Sequence, residues 1–495
     1  MRLPAQFKIL TSFQQFTIVR VALYALAVGL LGWMLGYVLA SPSVNLVAPL
    51  FLMGICILIT LKRPLEGLLL ALILLPFENF FYLSFNLGKG IPDISLSRVI
   101  VATTFTLIMA RAATGKLPNL RVTRLDVLMA LSVIGLGLSS LRGSSLSADL
   151  QWVFDMYLTP YLIYFVVKNL TVDRSALERV LWAVAIIGAY SGLYGIYTQT
   201  TGNIWFVDES GLEPIMYSSS LRPMQGLLGA SHIFGLVFSL AIPIDFYLLI
   251  KARTTNKKIL FALMLAVTLG GLFFTYKRTA WLATMISFLI IQFFFPRFRR
   301  LLLTLLVLVA VIIAFYGDQI SESAVVTERV NYQVDSLNGR VGLWDTALAY
   351  WQQAPILGYG RGGFFARSGL QIIESHYLSI LVDAGVAGFA PFVLIFLAIL
   401  TQSIRLYRAR APDIFVEPEL VAVFWGAFVA YLISLSTVVM NHELPHAMFF
   451  LLVGAVVGSQ ERFLGRQPQS PPDAWKAESA ERVSRGSFRS NVELR

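Results

Sequence analysis

Long apolar runs separated by short polar turns tile the chain from about residue 21 to residue 458. A bilayer-spanning helix needs about 20 mostly apolar residues. On that criterion the runs predict fourteen spans, near 21–40, 44–61, 65–81, 94–110, 126–141, 151–167, 179–199, 225–250, 259–276, 279–296, 301–316, 377–404, 419–440 and 447–458. Pro76 interrupts the third, and the last is short. Between spans 11 and 12 lies one long polar segment, about 317–375. Within it, Gly342 to Gln353 carries apolar residues at helical spacing, including Trp344, Tyr350 and Trp351, so short helices are expected there. Beyond Ser459 the Pro, Ser, Arg and Glu content cannot bury a core and reads as a disordered tail. The pattern predicts an all-α, polytopic transmembrane bundle of about 14 helices over 1–458, followed by a tail over 459–495.

Composition agrees with that reading. Of the 495 residues 57% are hydrophobic and 14% charged, against about 25% charged in a soluble domain. The single cysteine, Cys56, lies in an apolar run and excludes a disulfide framework. A net charge of +11 would suggest nucleic acid in a soluble protein. In a membrane protein it belongs on cytoplasmic loops facing membrane lipids.

The location of the charge fixes an orientation. With the N-terminus cytoplasmic, 29 of the 39 Lys and Arg residues fall on the inner loops and tail, as the positive-inside rule requires. One missed span would invert every later loop. Both termini are therefore expected in the cytoplasm and the 317–375 loop in the periplasm, outside a bacterial inner membrane. Ten basic residues remain on the disfavoured side, and seven of them lie between Arg222 and Arg367.

Several of these residues have chemical potential. Lys277-Arg278 sits between two apolar stretches with almost no polar length to hold it. It either snorkels to the interface or lines a cationic pocket inside the bundle that binds an anion. Arginine suits the second role, because its planar fork grips phosphate in a bidentate manner. Arg222 precedes span 8, and Arg340 opens the amphipathic stretch of the long loop. Arg361 lies in Gly358-Tyr359-Gly360-Arg361-Gly362-Gly363, whose glycines could present backbone N–H groups to an anion. His376 marks the entry to span 12. A histidine at that aqueous–membrane boundary can accept and return a proton, and the position equally suits an interfacial histidine with satisfied hydrogen bonds. His442-Glu443-Leu444-Pro445-His446 has the spacing of a zinc-protease helix, but Pro445 is expected to interrupt a loop there, and no metal site is assigned.

The order of these features resembles the O-antigen ligase and polysaccharide polymerase superfamily of bacterial membrane glycosyltransferases. The likeness spans roughly 180–445 and is strongest over 335–390, in Gly339-Arg340, Trp344, Pro355, Gly358-x-Gly360, His376 and Asp383-x-Gly385-x-x-Gly388. It implies a metal-independent, cofactor-free transfer of a glycan from undecaprenyl pyrophosphate to a hydroxyl on a glycan, lipid or protein acceptor. It assigns Arg222 and Arg278 to the pyrophosphate, with Lys277 replacing the family's common serine. Arg340 matches the arginine of the family's long loop and His376 the histidine that activates the acceptor; Arg361 is added to the basic substrate site from its glycine-rich loop on the disfavoured side. Tyr377 stands where the family often has asparagine.

Within that reading a ligase and a polymerase share the donor and differ in the acceptor. A transporter of an anion or a lipid-linked sugar is the alternative of a different class. It is disfavoured because the two halves show no internal repeat and the charges gather at one face. A non-catalytic scaffold would leave the outer-face arginines and His376 without a role.

Overall fold

A computed structural model of the chain describes residues 47–78, 80, 84–85, 94–115, 120, 122–204, 224–295, 341–370, 373–409, 414–439 and 442–461. Each expected span that falls on these residues contains a helix, the eighth starting at Ser231 instead of 225 and the third ending at Leu74 in a tight turn; the first, 21–40, and the eleventh, 301–316, lie outside them. The chain divides into two compact units, Met1–Leu107 and Ile108–Arg495.

The first unit contains α1 (Val47–Lys62), α2 (Pro64–Leu74) and a two-residue antiparallel ladder, β1 (Ser84–Phe85) with β2 (Ile94–Ser95). The ladder leads into α3 (Leu96–Ala113), which runs across the unit boundary. Pro76 ends α2 in a single tight turn, Leu75–Phe77, because proline cannot donate to the helical ladder. Met53, Cys56, Ala71, Leu96 and Ile100 form the core.

The second unit is the helix bundle. Its elements are α4 (Arg124–Ser140), α5 (Leu146–Leu170), α6 (Arg174–Thr201), α7 (Ser231–Lys251), α8 (Thr255–Phe274) and α9 (Arg278–Phe294). A helical stretch at 341–353 and α10 (Gly363–Ser368) follow, then α11 (His376–Arg408), α12 (Pro418–Thr437) and α13 (Glu443–Gln460). Eight described helices are long and apolar enough to cross a membrane, α3 from the first unit among them. α7 is buried almost all round, as a helix apolar on every face should be. Small residues let its neighbours approach: Gly188 of α6 lies on Ala241 and Thr268, and Gly235 of α7 on Ala280. Small residues at such crossings are the usual means of packing helices in lipid. The outward faces of α8 and α9 expose Leu263, Phe273 and Phe293, which is lipid-facing surface in a membrane protein.

Two differences from the sequence reading concern α13. The expected last span was short and its end was set at 458; the helix continues through Gln460, with Ser459 and Gln460 buried. The residues from 462 lie outside the described set. Pro445 does not interrupt a loop either. It sits in the first turn of α13, where proline's missing N–H has no helical partner to lose. His442 caps that turn, its Nδ1 accepting from the Leu444 N–H at 3.2 Å.

Candidate functional site

The polar site is built around an interruption in α11. Gly385 has φ 58° and ψ −160°, which breaks the helical ladder inside an otherwise continuous helix. The break frees the carbonyls of Val382 and Asp383 and the N–H groups of Val386 and Ala387. The loop at 355–360 satisfies all four. Tyr359 N–H donates to Val382 O at 3.0 Å and Gly360 N–H to Asp383 O at 2.8 Å; Val386 N–H donates to Pro355 O at 2.8 Å and Ala387 N–H to Ile356 O at 3.0 Å. Buried backbone groups must be paired somewhere, so the loop and the break require each other.

This exchange explains the sequence pattern physically. Gly358 and Gly360 take positive φ, which side chains rarely adopt. A Cβ at Gly358 would strike the Val382 and Asp383 carbonyls, and one at Gly360 the backbone of Arg142 and Gly143. At Gly385 a Cβ would meet Ile356. The expectation that the glycine loop offers its N–H groups to an anion is therefore corrected at Tyr359 and Gly360, whose donors are spent on α11.

Docking the loop places Arg361 over Trp152 of α5, its guanidinium carbon 4.8 Å from the ring centroid. Asp383, Asp149, Tyr157 and Asp155 lie within electrostatic reach. Burial lowers the guanidinium below its ordinary range, against the opposing pull of these groups, yet arginine keeps its proton. Arg361 forms no ion pair among the described residues. Its orientation is held by a ring, and its fork of donors is not consumed by a carboxylate. Nearby polar atoms are also left without hydrogen-bond partners: Asp149 Oδ2, Trp152 Nε1 and Asp383 Oδ1. The other Asp383 oxygen accepts from Ser379 Oγ at 3.2 Å.

His376 begins α11 and is fully buried. The reason is an aromatic enclosure from three helices. The Tyr157 hydroxyl lies 3.2 Å from His376 Nε2, and the two rings are near-parallel at 6.2 Å. Phe392 stands edge-on at 5.8 Å. His446 of α13 lies 5.5 Å away, centroid to centroid; its Nδ1 is hydrogen-bonded to the Tyr431 hydroxyl, and its Nε2 has no partner. Tyr157 occupies a one-turn π segment of α5, Phe154–Leu158. Such turns re-aim side chains and recur at functional sites. Tyr377, the departure from the family pattern, donates to Leu432 O at 3.0 Å and is anchored away from His376.

Lys277 and Arg278 lie at the start of α9, both partly buried, after Tyr276 in left-handed backbone (φ 51°). The Lys277 N–H donates to Thr275 Oγ1 at 3.2 Å, and Trp281 Nε1 to Leu272 O at 2.8 Å, which tightens the turn. Lys277 and His442 are both within electrostatic reach of His232, at the start of α7. His442 in turn lies one helical turn from His446. The N-terminal ends of α7, α9, α11 and α13 thus meet, and all four histidines of the chain lie there. Burial lowers the imidazole of His442 to about 4.

Of the six residues singled out from sequence, the structure describes Lys277, Arg278, Arg361 and His376; Arg222 and Arg340 lie outside the described residues. Asp149, Trp152, Tyr157 and Tyr431 were not anticipated. No group of three metal-ligating side chains occurs among the described residues.

Comparison with curated proteins returns no match. Residues 261–393, which run from α8 through the loop to Phe392 and Val393 of α11, match the family described as O-Antigen ligase. The matched segment contains Lys277, Arg278, Arg361, His376 and the glycine pattern whose geometry is given above. Over that segment, about a quarter of the chain, the sequence is similar to the O-antigen ligase family.

Proposed function

We propose that the chain transfers a glycan from undecaprenyl pyrophosphate to a hydroxyl acceptor at the outer face of the inner membrane, with both termini cytoplasmic. The observation that carries this reading is Arg361, free of any carboxylate partner among the described residues and sharing Tyr157 and Asp383 with the surroundings of His376. The acceptor oxygen attacks the anomeric carbon and forms the glycosidic bond, while the bond from that carbon to the pyrophosphate oxygen breaks. The acceptor proton passes to His376 Nε2, Tyr157 yielding its place to the acceptor hydroxyl. Charge grows on the departing pyrophosphate. Arg361, Lys277 and Arg278 bind it and stabilise that charge, as preorganised donors do in a water-poor site; Arg222 and Arg340 complete the set. No step calls for a metal or cofactor.

The test is transfer by purified protein given lipid-linked glycan and candidate acceptors. Wild type should form product, and His376→Ala and Arg278→Ala should lose it. Equal activity in His376→Ala removes the general-base role. Anion uptake into sealed vesicles without any glycan product would replace this reading with transport.

A further inference from the structure

The other end of the bundle contains a cavity that the transfer reaction does not use. Its volume is about 500 Å³, and it lies between the start of α6, the end of α7 and the start of α8. α7 has 21 residues, so this end is about 30 Å from His232, at 1.5 Å per residue. The cavity is amphipathic. Arg174, Lys251, Arg253 and Lys257 are its cations, and Leu181, Trp182 and Phe261 form an apolar wall, with Trp182 and Phe261 packed at 4.6 Å.

The cations divide into two pairs. Arg174 and Lys251 are committed to Glu417, Arg174 at 2.8 Å, and Arg174 also meets Glu178 at 3.3 Å. Burial pushes the Glu417 carboxyl up, but Lys251 and Arg174 hold it below the ordinary range. Arg253 and Lys257 are exposed and form no ion pair among the described residues. They leave the cavity with a positive rim. Immediately along α8 from the rim, Ile259, Leu260 and Leu263 are exposed, so the apolar wall continues onto the lipid-facing side of the helix.

We propose that this cavity binds an anionic phospholipid, its phosphodiester against Arg253 and Lys257 and its glycerol and upper acyl chain along Trp182, Phe261 and the α8 face. A soluble phosphate would use the rim alone; only a lipid uses both the rim and the wall. The ends of membrane-spanning helices lie at head-group depth on either side of the bilayer, and basic pockets between such helices suit anionic heads. The site therefore does not depend on the proposed orientation or on the transfer reaction.

The test compares purified full-length protein with phosphatidylglycerol, with phosphatidylcholine and with glycerol phosphate, by native mass spectrometry and thermal unfolding. Phosphatidylglycerol should remain bound and raise the unfolding temperature, and the other two should not. Arg253→Gln/Lys257→Gln should unfold as wild type does in phosphatidylcholine but bind phosphatidylglycerol roughly tenfold or more weakly, as expected on losing two head-group cations. Unchanged phosphatidylglycerol binding in that variant overturns the proposal. So does an equal shift with phosphatidylcholine or with glycerol phosphate.

Discussion

Where α7, α9, α11 and α13 begin, Arg361 lies near three carboxylates and forms an ion pair with none of them, and Asp149, Trp152, Asp383 and His446 each bury a polar atom with no hydrogen-bond partner. Where α6, α8 and α12 begin, carboxylates meet cations directly: Asp126 with Lys168, and Glu417 with Arg174 and Lys251. An unmet buried polar group costs about 1–3 kcal/mol, a cost that the substrate of the proposed reaction would relieve at the first end. The second is a structural clasp. Charged groups of the same types stand apart around Arg361 and pair directly around Glu417, and the proposed transfer reaction draws on the first set.

The comparison breaks most severely if the loop that positions Arg361 is displaced. Gly360→Ala puts a side chain at positive φ and against Gly143. The backbone term alone is about 1–2 kcal/mol, and the collision adds to it. Thermal unfolding should show a clear loss of stability, and transfer should fall with it; wild-type behaviour would mean that the loop does not dock on the Gly385 break. Next in size, Tyr157→Phe removes the 3.2 Å contact to His376 while keeping the ring. Because the acceptor hydroxyl displaces Tyr157 from Nε2, losing one hydrogen bond of roughly 1 kcal/mol should lower the acceptor KM about 3- to 10-fold, with little change in kcat or in unfolding temperature.

A smaller effect follows from His442. Its folded-state value near 4 lies below the ordinary 6.5, so the unfolded chain binds the extra proton between them. Stability from this group is full above about 6.5 and falls as pH drops toward 4. Chemical unfolding across that window should show the slope, and His442→Asn should lessen it by the share of one proton. Smallest is Glu417→Gln at the clasped end. Its ion pairs are partly exposed and worth under about 1 kcal/mol each, so stability should drop slightly and transfer should stay within twofold. A large loss of transfer in that variant would erase the distinction between the two ends.

Much of this was legible in the sequence because its causes are local. Apolar run lengths report spans whatever surrounds them, and Pro76 ends α2 by its own chemistry. The glycine spacings were visible too, but their meaning was not. Gly358, Gly360 and Gly385 serve one exchange of hydrogen bonds between a loop and a broken helix, and nothing in the spacing shows that pairing. Tyr157 escaped notice because it meets His376 across 219 residues and because a π turn sets its direction. His446 reads in sequence as half of a metal pattern; only the folding of α13 brings it beside His376. Lys277 and Arg278 stand out by being cationic on the disfavoured side of the proposed orientation, a signal that needs no tertiary structure.

Arg361→Ala tests the central claim most directly, because it removes the unpaired guanidinium while leaving the backbone exchange at Gly385 intact. With a purified lipid-pyrophosphate glycan donor, the account predicts a rate loss of about 10²–10³, the usual effect of deleting one donor to a developing negative charge, with the unfolding temperature near that of wild type. A variant that folds and transfers glycan within twofold of the wild-type rate would contradict it.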